Sequence, residues 1–175
     1  AKDTLANLFA GVFILADAPY RLNDFIVLDS GERGKVVHIG IRSTRLLTRD
    51  DIEITIPNAV MGAAKIMNET GGVNPKRRLR IPVGVAYGSN VDQVKEVLKD
   101  VAIKDPIICE TPEPRVRFRN FGNSTLDFEL LCWIPEPVLR GQATDALLTS
   151  VYNAFASDDI EIAFPQLDVH LHRAK

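Results

Sequence analysis

An apolar run of twelve residues, from Leu5 to Ala16, limits the possible structures of this chain more than any other segment. Its one strongly polar interruption is Asn7. As an α-helix the run is about 18 Å long, because each residue adds about 1.5 Å. A bilayer core of about 30 Å needs about 20 apolar residues, so the run is too short to cross a membrane alone. The Ala18-Pro19 pair predicts the end of the helix, since a residue before proline avoids the α region.

This predicted helix has two different faces when its residues are placed at 100° intervals. Small and polar side chains share one face: Asp3, Ala6, Asn7, Ala10 and Gly11. Large apolar side chains share the other: Leu5, Leu8, Phe9, Val12 and Leu15. Small residues four positions apart allow helix backbones to approach closely. Two interpretations stay open, a terminal helix packed on its own core or the end of a membrane-associated helix. The missing initiator Met leads us to expect a longer protein.

Composition excludes several classes of protein. With 175 residues, 46% hydrophobic and 25% charged, the chain has ordinary globular values and is neither disordered nor a disulfide scaffold. Its net charge of −2 and pI near 5.9 argue against a general nucleic-acid binder, which needs a basic surface. Cys109 and Cys132 are too far apart in sequence, and too few, for a zinc motif. We expect two reduced thiols.

Residues 19–68 change to short strand-like runs separated by turn residues. Ile52, Ile54 and Ile56 alternate with polar residues, which is typical of a half-buried strand. Pro57 ends that run, because proline has no N–H to donate to a sheet. Several short strands within so few residues predict a small barrel, which closes on itself and so has no exposed edges.

Residues 69–165 predict a second module of mixed α and β structure. Its order is strand, helix, strand, strand, helix, which is typical of a split βαβ, ferredoxin-like layer. Ser89 with Asp92 resembles a capping box at the start of the first helix. A loop at Gly122–Ser124 sets the register of the central hairpin. The expected pairs are Phe118 with Phe128, Val116 with Leu130, Arg117 with Glu129 and Arg119 with Asp127.

Residues 166–175 form the last predicted element, a strand with one apolar face. Leu167, Val169 and Leu171 alternate with Asp168 and His170. Because the α/β layer is already complete, this strand has no partner in its own chain. Such a strand favours pairing with other subunits.

Several motifs, taken together, resemble the small-conductance mechanosensitive channel family. Their order and spacing match that family from the end of its pore helix to its C-terminus. The matching segments are Leu5–Gly11, Pro19-Tyr20-Arg21 with Asp24, Gly34 with Ile41–Thr44, Ile56-Pro57-Asn58, Gly84–Tyr87 and Phe164-Pro165-Gln166. The resemblance implies an α+β, mostly β fold of four parts. These are the end of a pore-lining helix at 1–18, an Sm-like β-barrel domain at 19–68, a ferredoxin-like domain at 69–165 and an intersubunit strand at 166–175.

The resemblance also implies a function and an assembly. The chain would be the cytoplasmic, vestibule-forming part of a tension-gated channel subunit in the cell membrane. Its expected partners are six further copies in a homo-heptamer, the bilayer through upstream helices, and permeating ions and small solutes, without nucleic acid. The expected function is release of those solutes under hypo-osmotic stress.

Three groups of residues are candidates for this function. Asn7 and Gly11, with Ala6 and Ala10, would pack the helix and couple it to the β domain. Arg42, Thr44, Pro57 and Asn58 match the family's β-domain motif and are expected to be structural. Lys76, Arg77 and Arg78 lie at the junction between modules, where they would line portals and bias them toward anions.

Catalytic chemistry is not indicated. The sequence contains no nucleophile-elbow, P-loop or zinc-protease motif, so we expect no enzyme activity, cofactor or metal. His170 and His172 form a His-x-His pair, but two ligands make a weak metal site. Two alternatives stay open, an Sm-like RNA-binding module and a regulatory module that binds a small metabolite.

Overall fold

A computed structural model of the chain describes residues 2–71 and 76–170. The chain divides into two compact units, which we call the N-terminal unit (Ala1–Arg77) and the C-terminal unit (Arg78–Lys175). Both units combine helices with antiparallel strands. The predicted α+β class is therefore confirmed.

The N-terminal unit begins with a helix and continues into a five-stranded antiparallel sheet. Its elements are α1 (Lys2–Asp17), β1 (Phe25–Leu28), β2 (Arg33–Ile39), β3 (Ser43–Leu47), β4 (Glu53–Pro57), α2 (Asn58–Ala63) and β5 (Ile66–Asn68). The strands lie in the order β4-β3-β2-β1-β5. One apolar cluster joins the sheet to both helices, with Ile14 of α1 and Met61 of α2 both buried in it.

The predicted closed barrel is wrong for the described residues. In the sheet order β4 and β5 are the two ends, so the sheet has open edges. The physical reason lies in the chain between them. β4 passes directly into α2, and β5 has only three residues and pairs with β1. Helix α2 and the end of α1 cover the apolar side instead.

The C-terminal unit packs two helices against a three-stranded sheet. Its elements are β6 (Arg77–Ala86), α3 (Val91–Lys104), β7 (Arg115–Phe121), β8 (Thr125–Ile134), a 3₁₀ turn (Pro137–Leu139) and α4 (Arg140–Ser157). β8 lies between β6 and β7, as a split βαβ arrangement requires. Two apolar clusters join alternate residues of β6 and β8 to α3 and α4.

Local details of this unit differ from the sequence expectations at two places. The hairpin register is as predicted as far as Phe118, but a β-bulge follows and places Asn120, instead of Arg119, opposite Asp127. The N-cap of α3 is Asn90, whose side chain accepts from the N–H groups of Asp92 and Gln93. Asn90 is extended and adjacent to the first helical turn, so its amide oxygen reaches the free N–H groups better than Ser89 does.

After α4, residues 160–170 form no helix or strand. Hydrogen bonds hold this segment to the unit: for example, the Ala86 N–H donates to the Glu161 carbonyl over 2.9 Å, and the Gln166 N–H donates to the Ser124 hydroxyl over 3.1 Å. Leu167 is 85% exposed. Residues 171–175 of the predicted strand lie outside the described residues. Pairing of this segment with other subunits stays a prediction.

Candidate functional site: a helix–sheet contact in the N-terminal unit

The small face of α1 lies against α2. A Cβ added at Gly62 of α2 would lie 3.5 Å from the Ala10 methyl carbon, so the two backbones are close. Ala6 and Ala10 line an open groove of about 620 Å³ together with Gly62 and Ala63. The large apolar side chains of the opposite face, such as Leu5, are exposed. The small face therefore makes the intramolecular contact.

Gly11 lies where no side chain fits. A Cβ at this position would lie 2.6 Å from the Asn58 Nδ2 atom and closer still to the Ile41 carbonyl oxygen. The second obstacle is backbone, which cannot rotate away as a flexible side chain does. The absence of a side chain at Gly11 therefore allows α1 to rest directly on the β2–β3 turn and on the start of α2.

Asn7 caps α2 from another helix. The first residue before α2 is Pro57, whose side chain makes no capping hydrogen bond. The Ala59 N–H instead donates to Asn7 Oδ1 over 2.8 Å, and Asn7 Nδ2 donates to the Asp3 carbonyl. Free N–H groups at a helix start need such acceptors. One side chain of α1 thus satisfies a backbone group of α2.

Asn58 is the centre of a buried polar network. Its backbone N–H donates to the Arg42 carbonyl, and its Nδ2 donates to the Gly40 carbonyl, both over 2.9 Å. Its Oδ1 accepts from the Thr44 hydroxyl over 3.1 Å. The side chain is fully buried, so every one of these bonds matters, because an unsatisfied buried polar group is costly.

Thr44 links this network to the chain that follows α1. Its hydroxyl lies 2.9 Å from the hydroxyl of Tyr20, and both residues are buried. Burial raises the pKa of Tyr20 above its ordinary value. Tyr20 was part of a sequence motif, but its bond to Thr44 joins residues 24 positions apart and has no periodic signal in the sequence.

The remaining β-domain candidates act through the backbone. Arg42 is exposed and contributes its carbonyl oxygen to Asn58, as described above. Pro57 is opposite Ser43 at the end of the β3–β4 pair. With φ −58° and ψ 140°, Pro57 is extended, and the helix starts at the next residue. The structure thus brings Asn7, Gly11, Thr44 and Asn58 into one contact.

The basic run at 76–78 takes part in a different cluster. Arg77 Nη2 donates to Glu69 Oε1 over 2.9 Å, and Arg33 Nη2 donates to Glu69 Oε2 over 3.0 Å. The side chain of Glu69 is only 7% exposed. Arg78, by contrast, is exposed. Sequence analysis missed Glu69 because nothing in its local pattern marks a carboxylate that holds two distant arginines.

In residues 2–71 and 76–170 no three His, Cys, Asp or Glu side chains come together as a metal site. Cys109 and Cys132 are free thiols. Burial raises the pKa of Cys132 to about 12, with smaller contributions from Asp105 and Cys109. At neutral pH this thiol is protonated and therefore a poor nucleophile.

Both units match known protein families. Residues 3–71 match the family described as "Mechanosensitive ion channel, beta-domain". Residues 79–162 match "Mechanosensitive ion channel MscS, C-terminal". The chain belongs to the MscS family of mechanosensitive channels. The helix–sheet contact lies wholly within the β-domain match of this MscS-family chain. These matches give no support to the RNA-binding or metabolite-binding alternatives.

Individual MscS-family proteins align along nearly the whole chain. Mechanosensitive channel MscK of Escherichia coli strain K12 is 36% identical over 174 residues, which cover 99% of this chain and 15% of MscK. The small-conductance mechanosensitive channel of Edwardsiella ictaluri is 35% identical over 173 residues, which cover 99% of this chain and 59% of that channel. The crystal structure of Helicobacter pylori MscS in a closed state has a TM-score of 0.87 at 26% identity. The matched residues cover 99% of this chain and 67% of the Helicobacter pylori chain.

The matched relatives are longer than this chain, which spans 15% of MscK and 59% of the Edwardsiella channel. Within the part of the chain that the structure describes, no helix combines the length and the apolar character that a bilayer crossing requires.

Proposed function

We propose that this chain is the cytoplasmic part of a tension-gated channel subunit in the cell membrane. Seven copies would form a homo-heptamer around a vestibule, and the channel would release ions and small solutes in hypo-osmotic stress. The role is transport and involves no catalysis. The observation that carries the proposal is the seat of α1 on the β domain. Asn7 and Gly11 there connect a helix with an exposed apolar face to α2 and to the β2–β3 turn of the sheet.

The physical argument starts from membrane tension, which favours the state that occupies more membrane area. Gating then requires helices that shift relative to each other and a soluble part that follows the shift. The small side chains of Ala6 and Ala10 present little steric obstacle to such movement. Asn7, in contrast, accepts one directional hydrogen bond from the Ala59 N–H. The small face therefore allows movement, and Asn7 favours one position of α1.

The first experiment tests assembly. Native mass spectrometry of the chain is expected to give a species of seven times the 19.4 kDa protomer mass. The same measurement is made on the full-length subunit in detergent or nanodiscs. A monomer in both samples would contradict the proposed ring.

The second experiment tests tension gating and its coupling to α1. The full-length subunit is placed in liposomes and held under suction in patch-clamp recordings. Tension-activated currents are expected, and Asn7→Ala is expected to change the open-state lifetime or the activation tension. Asn153→Ala, on an exposed position of α4, is the matched control and is expected to behave as the wild type. Absence of any tension-activated current in the wild type would contradict the function.

We also propose that Lys76, Arg77 and Arg78 bias the entry of solutes toward anions. Arg78 is exposed and its charge is available to solvent, whereas Arg77 is held by Glu69. Arg78→Gln therefore removes a charge without breaking a buried ion pair. Arg77→Gln removes a charge and also breaks the ion pair with Glu69. A shift of the reversal potential toward cations is expected in asymmetric salt. An unchanged reversal potential in the triple variant at 76, 77 and 78 would contradict this role.

A further inference from the structure

The hydrogen bonds between Tyr20, Thr44 and Asn58 have one possible direction. Asn58 Nδ2 donates to the Gly40 carbonyl, so the orientation of the amide is set and its Oδ1 faces Thr44. An amide oxygen only accepts, so the single hydroxyl proton of Thr44 is donated to it. The Thr44 oxygen must then accept from Tyr20, whose phenolic proton completes the series.

This series ends at the surface on which α1 rests. Asn58 Nδ2 is one of the atoms that a side chain at Gly11 would meet. The next residue, Ala59, carries the N–H that Asn7 accepts. Tyr20 itself follows α1 by three residues, after a turn in which Ala18 has φ 44°. Helix α1 is therefore connected to Asn58 in two ways, by direct contact at Gly11 and through Tyr20 and Thr44.

Tyr20 is well suited to hold this arrangement. It is 1% exposed, and Thr44 and Asn58 are 0% exposed, so water does not compete for these bonds. Buried hydrogen bonds of this kind are stronger than exposed ones, and their loss is not compensated by solvent. The aromatic ring also contributes to the apolar cluster of the unit. The ring and the hydroxyl thus have separable roles.

We propose that the Tyr20 hydroxyl is a positioning group for the contact between α1 and α2. It orients Thr44, Thr44 orients the Asn58 amide, and the oriented Asn58 forms the seat for Gly11 and presents the Ala59 N–H to Asn7. This inference deepens the proposed function, because it names a residue that controls how firmly the helix is held to the β domain.

Hydrogen exchange of the Ala59 N–H tests the proposal, because Tyr20 does not touch that group. In Tyr20→Phe the ring remains and only the hydroxyl is lost, and exchange at Ala59 is expected to be about fivefold faster. Thr44→Val is expected to have a larger effect, since it leaves Asn58 Oδ1 without a donor. Thr44→Ser keeps the hydroxyl and is expected to restore the wild-type rate. Tyr152→Phe, at an exposed tyrosine of α4, is the control.

The comparison amide is that of Val36, which lies in the same sheet and donates to the Asp24 carbonyl. If Tyr20→Phe accelerates exchange equally at Ala59 and Val36, Tyr20 contributes only to overall stability and the proposal is wrong. An unchanged rate at Ala59 would also overturn it. This measurement needs no channel activity. The two proposals can therefore fail separately. If Tyr20→Phe accelerates exchange at Ala59 but the wild-type subunit gives no tension-activated current, the proposed function is wrong and the role of Tyr20 stands.

Discussion

The two units of this chain hold their helices in different ways. In the C-terminal unit, α3 and α4 pack on the sheet through two apolar clusters that include Leu98, Leu130 and Leu147. In the N-terminal unit, directional hydrogen bonds hold the helices in addition to apolar contacts. Among the described residues the fully buried polar ones are Thr44 and Asn58, and both lie in the N-terminal unit.

This difference indicates different mechanical roles. Apolar contacts are non-directional, so they give stability but tolerate small shifts of one surface over another. Hydrogen bonds and a glycine seat require one register, and they are lost together when the helix leaves it. The C-terminal unit is therefore expected to respond to mutation in proportion to the apolar volume removed. The N-terminal unit is expected to respond to the loss of single polar atoms or the gain of a single methyl group.

The largest effect is expected at Leu147, in the apolar core of the C-terminal unit. Leu147 is fully buried, so Leu147→Ala is expected to lower the free energy of unfolding by about 2–5 kcal/mol. Its neighbour Leu148 is 47% exposed, so Leu148→Ala should cost much less. Urea unfolding followed by tryptophan fluorescence measures this directly, because the only tryptophan, Trp133, lies in β8 of the same unit. Equal losses in the two variants would contradict an apolar, closely packed core.

The second largest effect is expected from one added methyl group at Gly11. Gly11→Ala places a Cβ against the Ile41 carbonyl and Asn58, and overpacking of this kind costs about 1–3 kcal/mol. Gly141→Ala in α4 is the matched control, since a Cβ there meets nothing within 4 Å. Because alanine favours helix over glycine, the control is expected to be neutral or stabilising. Thermal unfolding by circular dichroism compares the two, and a stabilised Gly11→Ala protein would show that α1 does not rest on this seat.

The sequence predicted the periodic part of these arrangements. The small face of α1 follows from the 100° spacing of Ala6, Asn7, Ala10 and Gly11. In the structure Asn7, Ala10 and Gly11 lie against α2 or the β2–β3 turn, and Ala6 lines the open groove beside α2. The paired faces of the β7–β8 hairpin follow from strand alternation up to Phe118. Periodicity predicts which side of an element is buried, because burial repeats with the geometry of the backbone.

Contacts between single side chains that are distant in sequence were not predicted. The Tyr20–Thr44 and Arg33–Glu69 bonds join residues 24 and 36 positions apart, and no repeat marks them. The bulge after Phe118 was missed for a related reason, since one extra residue interrupts alternation without changing composition. Barrel closure depends on whether the two end strands meet, which the pattern of each strand alone does not determine.

A smaller effect is expected from Asn7, which tests the directional part of the N-terminal contact. Asn7→Ala leaves the Ala59 N–H without its acceptor, and loss of a helix cap costs about 0.5–2 kcal/mol. Asn7→Asp retains an acceptor oxygen at the same position and is expected to keep most of the stability. The free energies come from urea unfolding followed by circular dichroism. Identical losses in both variants would mean that Asn7 contributes by packing and not by accepting this hydrogen bond.

The smallest loss of stability is expected for an ion pair on the exposed face of the C-terminal sheet. Such pairs are accessible to solvent, unlike the buried network of the N-terminal unit. Arg119 Nε donates to Glu129 Oε2 over 2.8 Å, and Arg80 lies on the other side at 3.5 Å. Exposed pairs contribute about 0.2–1 kcal/mol, so Glu129→Gln should cost no more than that.

The hydrogen bond from Arg119 lowers the pKa of Glu129 below its ordinary value. A carboxyl whose pKa is lower in the folded state contributes stability above its unfolded pKa, near 4.3, and loses it as pH falls through the folded pKa. Glu129→Gln is therefore expected to flatten the acid limb of the stability curve. In about 1 M salt, where the screening length is about 3 Å, the effect of Glu129→Gln should nearly vanish while that of Asn7→Ala persists. If salt reduced the stability losses of Glu129→Gln and Asn7→Ala equally, the contribution of Asn7 would come from screened charge interactions and not from a hydrogen bond. The contrast between the two units would then be wrong.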